Sequence, residues 1–81
     1  MKWYETEFSY DYFIPENPAL LSCRVMPSSN NKGMFEAQTW GSLTHNAGFI
    51  GLFETVELAK EAVETKVRLS LAIIIKELEL E

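Results

Sequence analysis

Thr55-Val56-Glu57-Leu58-Ala59-Lys60-Glu61-Ala62-Val63-Glu64-Thr65-Lys66-Val67-Arg68-Leu69-Ser70-Leu71-Ala72-Ile73-Ile74-Ile75-Lys76-Glu77-Leu78-Glu79-Leu80 runs without a glycine or a proline and reads as one long helix. Its pattern changes halfway. Up to Arg68 it is amphipathic, with Val56, Ala59, Val63 and Val67 on one side and Glu57, Lys60, Glu61, Glu64 and Arg68 on the other. From Leu69 onward, Leu69, Leu71, Ala72, Ile73, Ile74, Ile75 and Leu78 surround the axis. A helix that is apolar all round must be covered all round. Thr55 is placed to cap the helix, and Glu57 in the first turn suits the positive end of the dipole.

Upstream of the helix the periodicity is that of strands. Trp3 to Ile14 alternates, with Tyr4, Phe8, Tyr10, Tyr12 and Ile14 on one side and Glu5, Glu7, Ser9 and Asp11 on the other. Pro15 ends that run. Ala19 to Met26 is a second strand, with Leu21, Cys23 and Val25 inward and Ser22 and Arg24 outward. Pro27 to Gly33 is dense in turn residues and reads as a hairpin loop. Met34 to Trp40 is a third strand, with Phe35, Ala37 and Thr39 opposite Glu36 and Gln38, and Gly48 to Phe53 is a short fourth strand, apolar on both faces. A six-residue strand spans about 20 Å, and a helix of this length roughly 37 Å at 1.5 Å per residue. The sheet therefore leaves the distal helix uncovered. The expected fold is α+β: one domain over residues 1–81, an antiparallel sheet of three to four strands packed on one long C-terminal helix. The expected core is Tyr4, Phe8, Leu21, Val25, Phe35, Phe53, Ala59, Val63 and Val67.

Composition narrows the function classes. The chain has 81 residues, one cysteine and one histidine, so neither an internal disulfide nor a His/Cys zinc site is expected. Twelve acidic residues against seven basic ones, a net charge of −5, weigh against nonspecific phosphate binding. Glu5, Glu7 and Asp11 stand where a secretory segment would be apolar, and Leu69–Ile75 is too short to span a bilayer. A single unpaired cysteine fits a reducing compartment, so the expected localisation is cytoplasmic.

The chemistry-bearing residues do not assemble into a catalytic set. His45 in Ser42-Leu43-Thr44-His45-Asn46 lacks an evident acid or nucleophile and reads as a solvated loop residue. Cys23 falls at an inward strand position and reads as a small hydrophobe. Gly41, Gly48 and Gly51 lack the lysine and hydroxyl that end a phosphate loop. No catalytic, cofactor-binding or metal-binding residue is expected, and no small-molecule ligand.

The segment Gly33 to Val63 carries Phe35-Glu36-Ala37 and then Phe49-Ile50-Gly51-Leu52-Phe53-Glu54-Thr55-Val56-Glu57-Leu58-Ala59-Lys60-Glu61-Ala62. It resembles the three-strand-plus-helix DNA-binding domains of the APETALA and integrase type. The resemblance covers under half of the chain and implies a sheet backed by one helix, with DNA read from the open sheet face. The family reads DNA with Arg and Trp there. This chain has only Arg24 on its strands, and Glu36 and Gln38 stand at the outward positions, where a carboxylate repels phosphate.

The leading expectation is therefore a non-catalytic interaction protein, a homodimer formed through Leu71, Ile75 and Leu78, that also binds another protein. Glu5, Glu7, Asp11 and Glu36 are the candidate partner-binding residues. One alternative is a nucleic-acid-binding module of the integrase-arm type, using Arg24 and Lys32. A second is an acidic inhibitor that mimics nucleic acid. The charge of the open sheet face separates them: basic favours the module, acidic the inhibitor, and mixed with exposed aromatics favours protein binding.

Overall fold

A computed structural model describes residues 2–44 and 47–79. Five strands form an antiparallel meander in sheet order β1-β2-β3-β4-β5: β1 (Tyr4–Glu5), β2 (Tyr10–Phe13), β3 (Ser22–Pro27), β4 (Phe35–Trp40) and β5 (Gly48–Phe53). One helix, α1 (Val56–Glu79), packs across a single face over β3, β4 and β5. This is the expected α+β architecture with one strand more than anticipated.

The additional strand comes from a turn inside the Trp3–Ile14 alternation. The Thr6 hydroxyl accepts the backbone N–H groups of Phe8 and Ser9 at 3.2 and 2.9 Å, and the Thr6 N–H donates to the Ser9 carbonyl at 2.8 Å. A short hydroxyl side chain of this kind offers the backbone an alternative to the ladder. The chain reverses, and Tyr4 pairs with Asp11. Two expected core residues are thereby displaced. Phe8 sits on the turn, 74 % exposed, and Tyr4 turns to the open face, where its ring stacks on Phe13 at 5.3 Å. Tyr10 and Tyr12 stay on the helix face.

Elsewhere the expected register holds. Cys23 pairs with Thr39 and Val25 with Ala37, so the inward residues of β3 and β4 meet under the helix. The buried core is Leu21, Cys23, Val25, Ala37, Ala59, Val63 and Val67. Its residues are small, with fully buried alanines, Ala37 and Ala59, in both the sheet and the helix. Phe35 and Phe53 are half-buried at the rim rather than in the centre, together with Trp3, Tyr10, Tyr12, Ile14, Ile50 and Val56. Between Ala37 and Gln38 the β4–β5 register slips, making Ile50 an extra residue in β5 that packs toward the core.

One local device starts the helix and a second ties it to the N-terminal segment. The Thr55 hydroxyl accepts the Leu58 N–H at 3.1 Å, the expected N-cap. At the N-terminus the Trp3 indole donates to Glu64 at 3.1 Å, while the Lys60 ammonium lies over the Trp3 and Tyr10 rings at 5.6 and 4.3 Å. Gly41, with φ of +116°, takes the chain from β4 against the β2–β3 connection, and a Cβ there would overlap the Leu20 carbonyl. The Ser42 and Leu43 N–H groups then donate to Ala19 and Leu20.

Candidate interaction surfaces

Along α1 the buried positions are Ala59, Val63, Val67 and Ser70, and nothing beyond Ser70 is buried. The loop after β4 is the last part of the sheet layer to reach the helix, where Ser42, Leu43 and Thr44 border a small cavity with Ser70, Ile73 and Ile74. Past it the helix runs on alone, and the molecule measures 47 Å along its longest axis. Of the residues expected to self-associate, Ile75 and Leu78 lie on this segment, 56 % and 64 % exposed, whereas Leu71, 40 % exposed, lies one turn before it. Leu71 also borders a cavity of about 300 Å³ with Tyr12, Ile14, Leu43 and Arg68, so the surface continues from the helix onto the sheet edge. Among the described residues, no helix is long and apolar enough to cross a membrane.

The acidic residues are not brought together. Asp11 lies on the open face of β2 and binds the Arg24 guanidinium in a two-bonded pair, at 2.9 and 3.3 Å. That pair holds Arg24 above its ordinary pKa, through the hydrogen bond first and the charge second. Glu36 lies two strands away, within 3.4 Å of the Ser28 hydroxyl. Glu5 alternates to the other side of β1, and Glu7 sits on the turn.

The open face is instead a mixed surface. Tyr4, Phe13, Met26, Trp40, Phe49 and Leu52 are interleaved with the Asp11–Arg24 pair, Glu36 and Gln38. Phe49 is 60 % exposed. A shallow groove of about 320 Å³ runs between Phe13, Pro18, Ser22, Arg24 and Trp40. The aromatic content was visible in the sequence, but the residues assigned to this face changed once the first strand became a hairpin.

Among the described residues, no group of three His, Cys, Asp or Glu side chains could hold a metal ion. Burial pushes the Cys23 thiol up to about 12, so it stays protonated and poorly nucleophilic near neutrality. His45 lies outside the described residues.

Compared with known proteins, the chain matches no family model, no curated protein and no solved structure.

Proposed function

We propose that this chain is a small, non-catalytic, cytoplasmic interaction protein that self-associates through the distal part of α1 and binds another protein. The observation that carries the reading is the exposed Leu71, Ile75 and Leu78 set, which begins at the last contact of the helix with the sheet layer and continues beyond it. Burying the exposed parts of these side chains would contribute about 1–2 kcal/mol each. A pair of identical chains meeting on the same face closes by two-fold symmetry and leaves no apolar ridge in water. The mixed, aromatic-bearing sheet face supports the second half of the reading, since aromatic residues with few uncompensated charges are typical of protein-binding surfaces.

The two alternatives draw less support. A nucleic-acid-binding module rests on the Gly33–Val63 resemblance and needs Arg24 and Lys32 for phosphate. Arg24 is already engaged by Asp11, and Glu36 shares its face. An acidic mimic of nucleic acid needs a ridge of carboxylates, whereas Glu5, Glu7, Asp11 and Glu36 are dispersed.

The test is equilibrium sedimentation of wild type and of Leu71→Glu with Ile75→Glu. The wild type is expected to associate at micromolar concentration, and the variant to lose that contact with its sheet intact. A wild type that stays monomeric at high micromolar concentration overturns the reading.

A further inference from the structure

The two edges of the sheet are built differently. β1 is two residues long, includes Glu5, and has the Lys2 ammonium over its Tyr4 ring at 5.7 Å. Shortness and lysine are both devices that blunt an edge. β5 is Gly48-Phe49-Ile50-Gly51-Leu52-Phe53, six residues with no charge and no proline. Among the described residues nothing pairs with its outer side. Beside it, Phe53, Leu58, Ala62 and Leu69 line an open groove of about 410 Å³ between the edge strand and α1, with Glu61, Thr65 and Lys66 at the rim. The outward backbone groups of such an edge call for another strand, and the groove calls for apolar side chains.

We infer that the β5 edge is a second self-association surface, on which β5 of another copy pairs antiparallel across a two-fold axis. The inference shares with the proposed function only that the chain self-associates. It uses the opposite flank of α1 from Leu71, Ile75 and Leu78.

Three observations favour a second copy as the occupant. The first is self-complementarity. In the two-fold register that sets Gly48 across from Phe53 of the second copy, Phe49 meets Leu52 of that copy on the open face, twice over. The glycines stand across from the larger Phe53 and Ile50, and a side chain at Gly48 would meet nothing within 4 Å. The second is area. The exposed parts of Phe49, Leu52, Leu58, Leu69 and Ile73 amount to roughly 500 Å² per chain before any backbone is counted, against about 800 Å² per partner in a standard interface. The third is fit. The helix is centred on β4, so at about 4.8 Å per strand the two helices would run about 14 Å apart on the same face of the joined sheet. That exceeds the 8–10 Å of direct helix packing and leaves room for Leu58 and Leu69 of both chains. The bulge at Ile50 breaks the alternation so that Phe49 and Leu52 share the open face; its added twist is the one device on β5 that opposes edge pairing.

The test starts from the Leu71→Glu, Ile75→Glu protein, which lacks the distal surface, and adds Phe49→Lys with Leu52→Lys. In equilibrium sedimentation the first protein should still reach twice the chain mass, and the second should weaken that dimer at least tenfold. Amide exchange should show β5 protected more at high than at low concentration. Leu58→Glu, outside the strand, should weaken the same dimer if the strand substitutions impair folding. A monomeric Leu71→Glu, Ile75→Glu protein overturns the β5 inference and leaves the distal-helix reading standing if wild type dimerises. A dimer unaffected by both the strand and the Leu58 substitutions overturns the inference as well. Protection of β5 by a synthetic alternating-apolar peptide, without any concentration dependence of the protein alone, replaces the second copy with a partner strand and also overturns it. A monomeric wild type overturns both readings.

Discussion

The two halves of α1 share one backbone and obey opposite rules. In the proximal half, residues one turn apart sink into the sheet: Ala59, Val63 and Val67 are buried while Glu61 and Arg68 face water. In the distal half, larger and more apolar side chains stay exposed. Hydrophobicity therefore does not predict burial along this helix; the reach of the sheet does. The buried core lies where the residues are small, and the exposed apolar surface where they are large.

The sharpest test of that contrast sets one buried position against two exposed ones. Val63→Asp places a carboxylate in a site with no exposure, and should cost more than about 4 kcal/mol, enough to unfold so small a domain. Leu71→Glu with Ile75→Glu should change monomer stability by less than about 1 kcal/mol. Urea denaturation of both at low concentration measures the difference, and comparable losses would mean the distal segment is part of the fold.

The border between the halves depends on the loop after β4. Gly41→Ala strains a positive φ and drives a methyl into the Leu20 carbonyl, so it should cost about 2–3 kcal/mol. In amide exchange, α1 residues beyond Ser70 should open first. Uniform loss of protection along the whole helix would erase the border.

Beneath the proximal half, Cys23 makes the sheet sensitive to alkali. Its pKa is raised from 9.0 to about 12 in the folded protein. The folded state thus holds the proton more tightly than the unfolded chain. Stability should be fully present below pH 9 and fall by about 1.4 kcal/mol per pH unit between pH 9 and pH 12. Cys23→Ala should flatten that slope in denaturant titrations run at successive pH values.

The smallest effect concerns Thr39, whose hydroxyl is buried in the same layer without a hydrogen-bond partner among the described residues. Thr39→Val should raise stability by about 1 kcal/mol, read as a higher denaturation midpoint. A loss of stability would mean that the hydroxyl is satisfied there.

Much of this was legible from the chain. The limits of β5, the start of α1, the Thr55 cap and the inward sets of β3 and β4 follow from local rules, because a period of 3.6 or 2 is written in adjacent residues. Tyr4 and Phe8 depart from the expected core, since alternation continues unbroken through Thr6–Ser9 and only a side-chain hydroxyl bond signals the reversal. Thr6 and Ser9 three apart were the available signal, and it competes with many strands that carry the same residues. Glu5, Glu7 and Asp11 fall on one side of a continuous first strand; the turn at Thr6–Ser9 disperses them.

By itself the sequence determined the α+β class, the single long helix and the change of pattern near Leu69, since each depends on contacts between near neighbours. Tertiary structure alone decided which edge of the sheet is left bare and that Arg24 is held by Asp11. These depend on pairing between segments distant in the chain, and no local period encodes which partner a backbone or a charge will find.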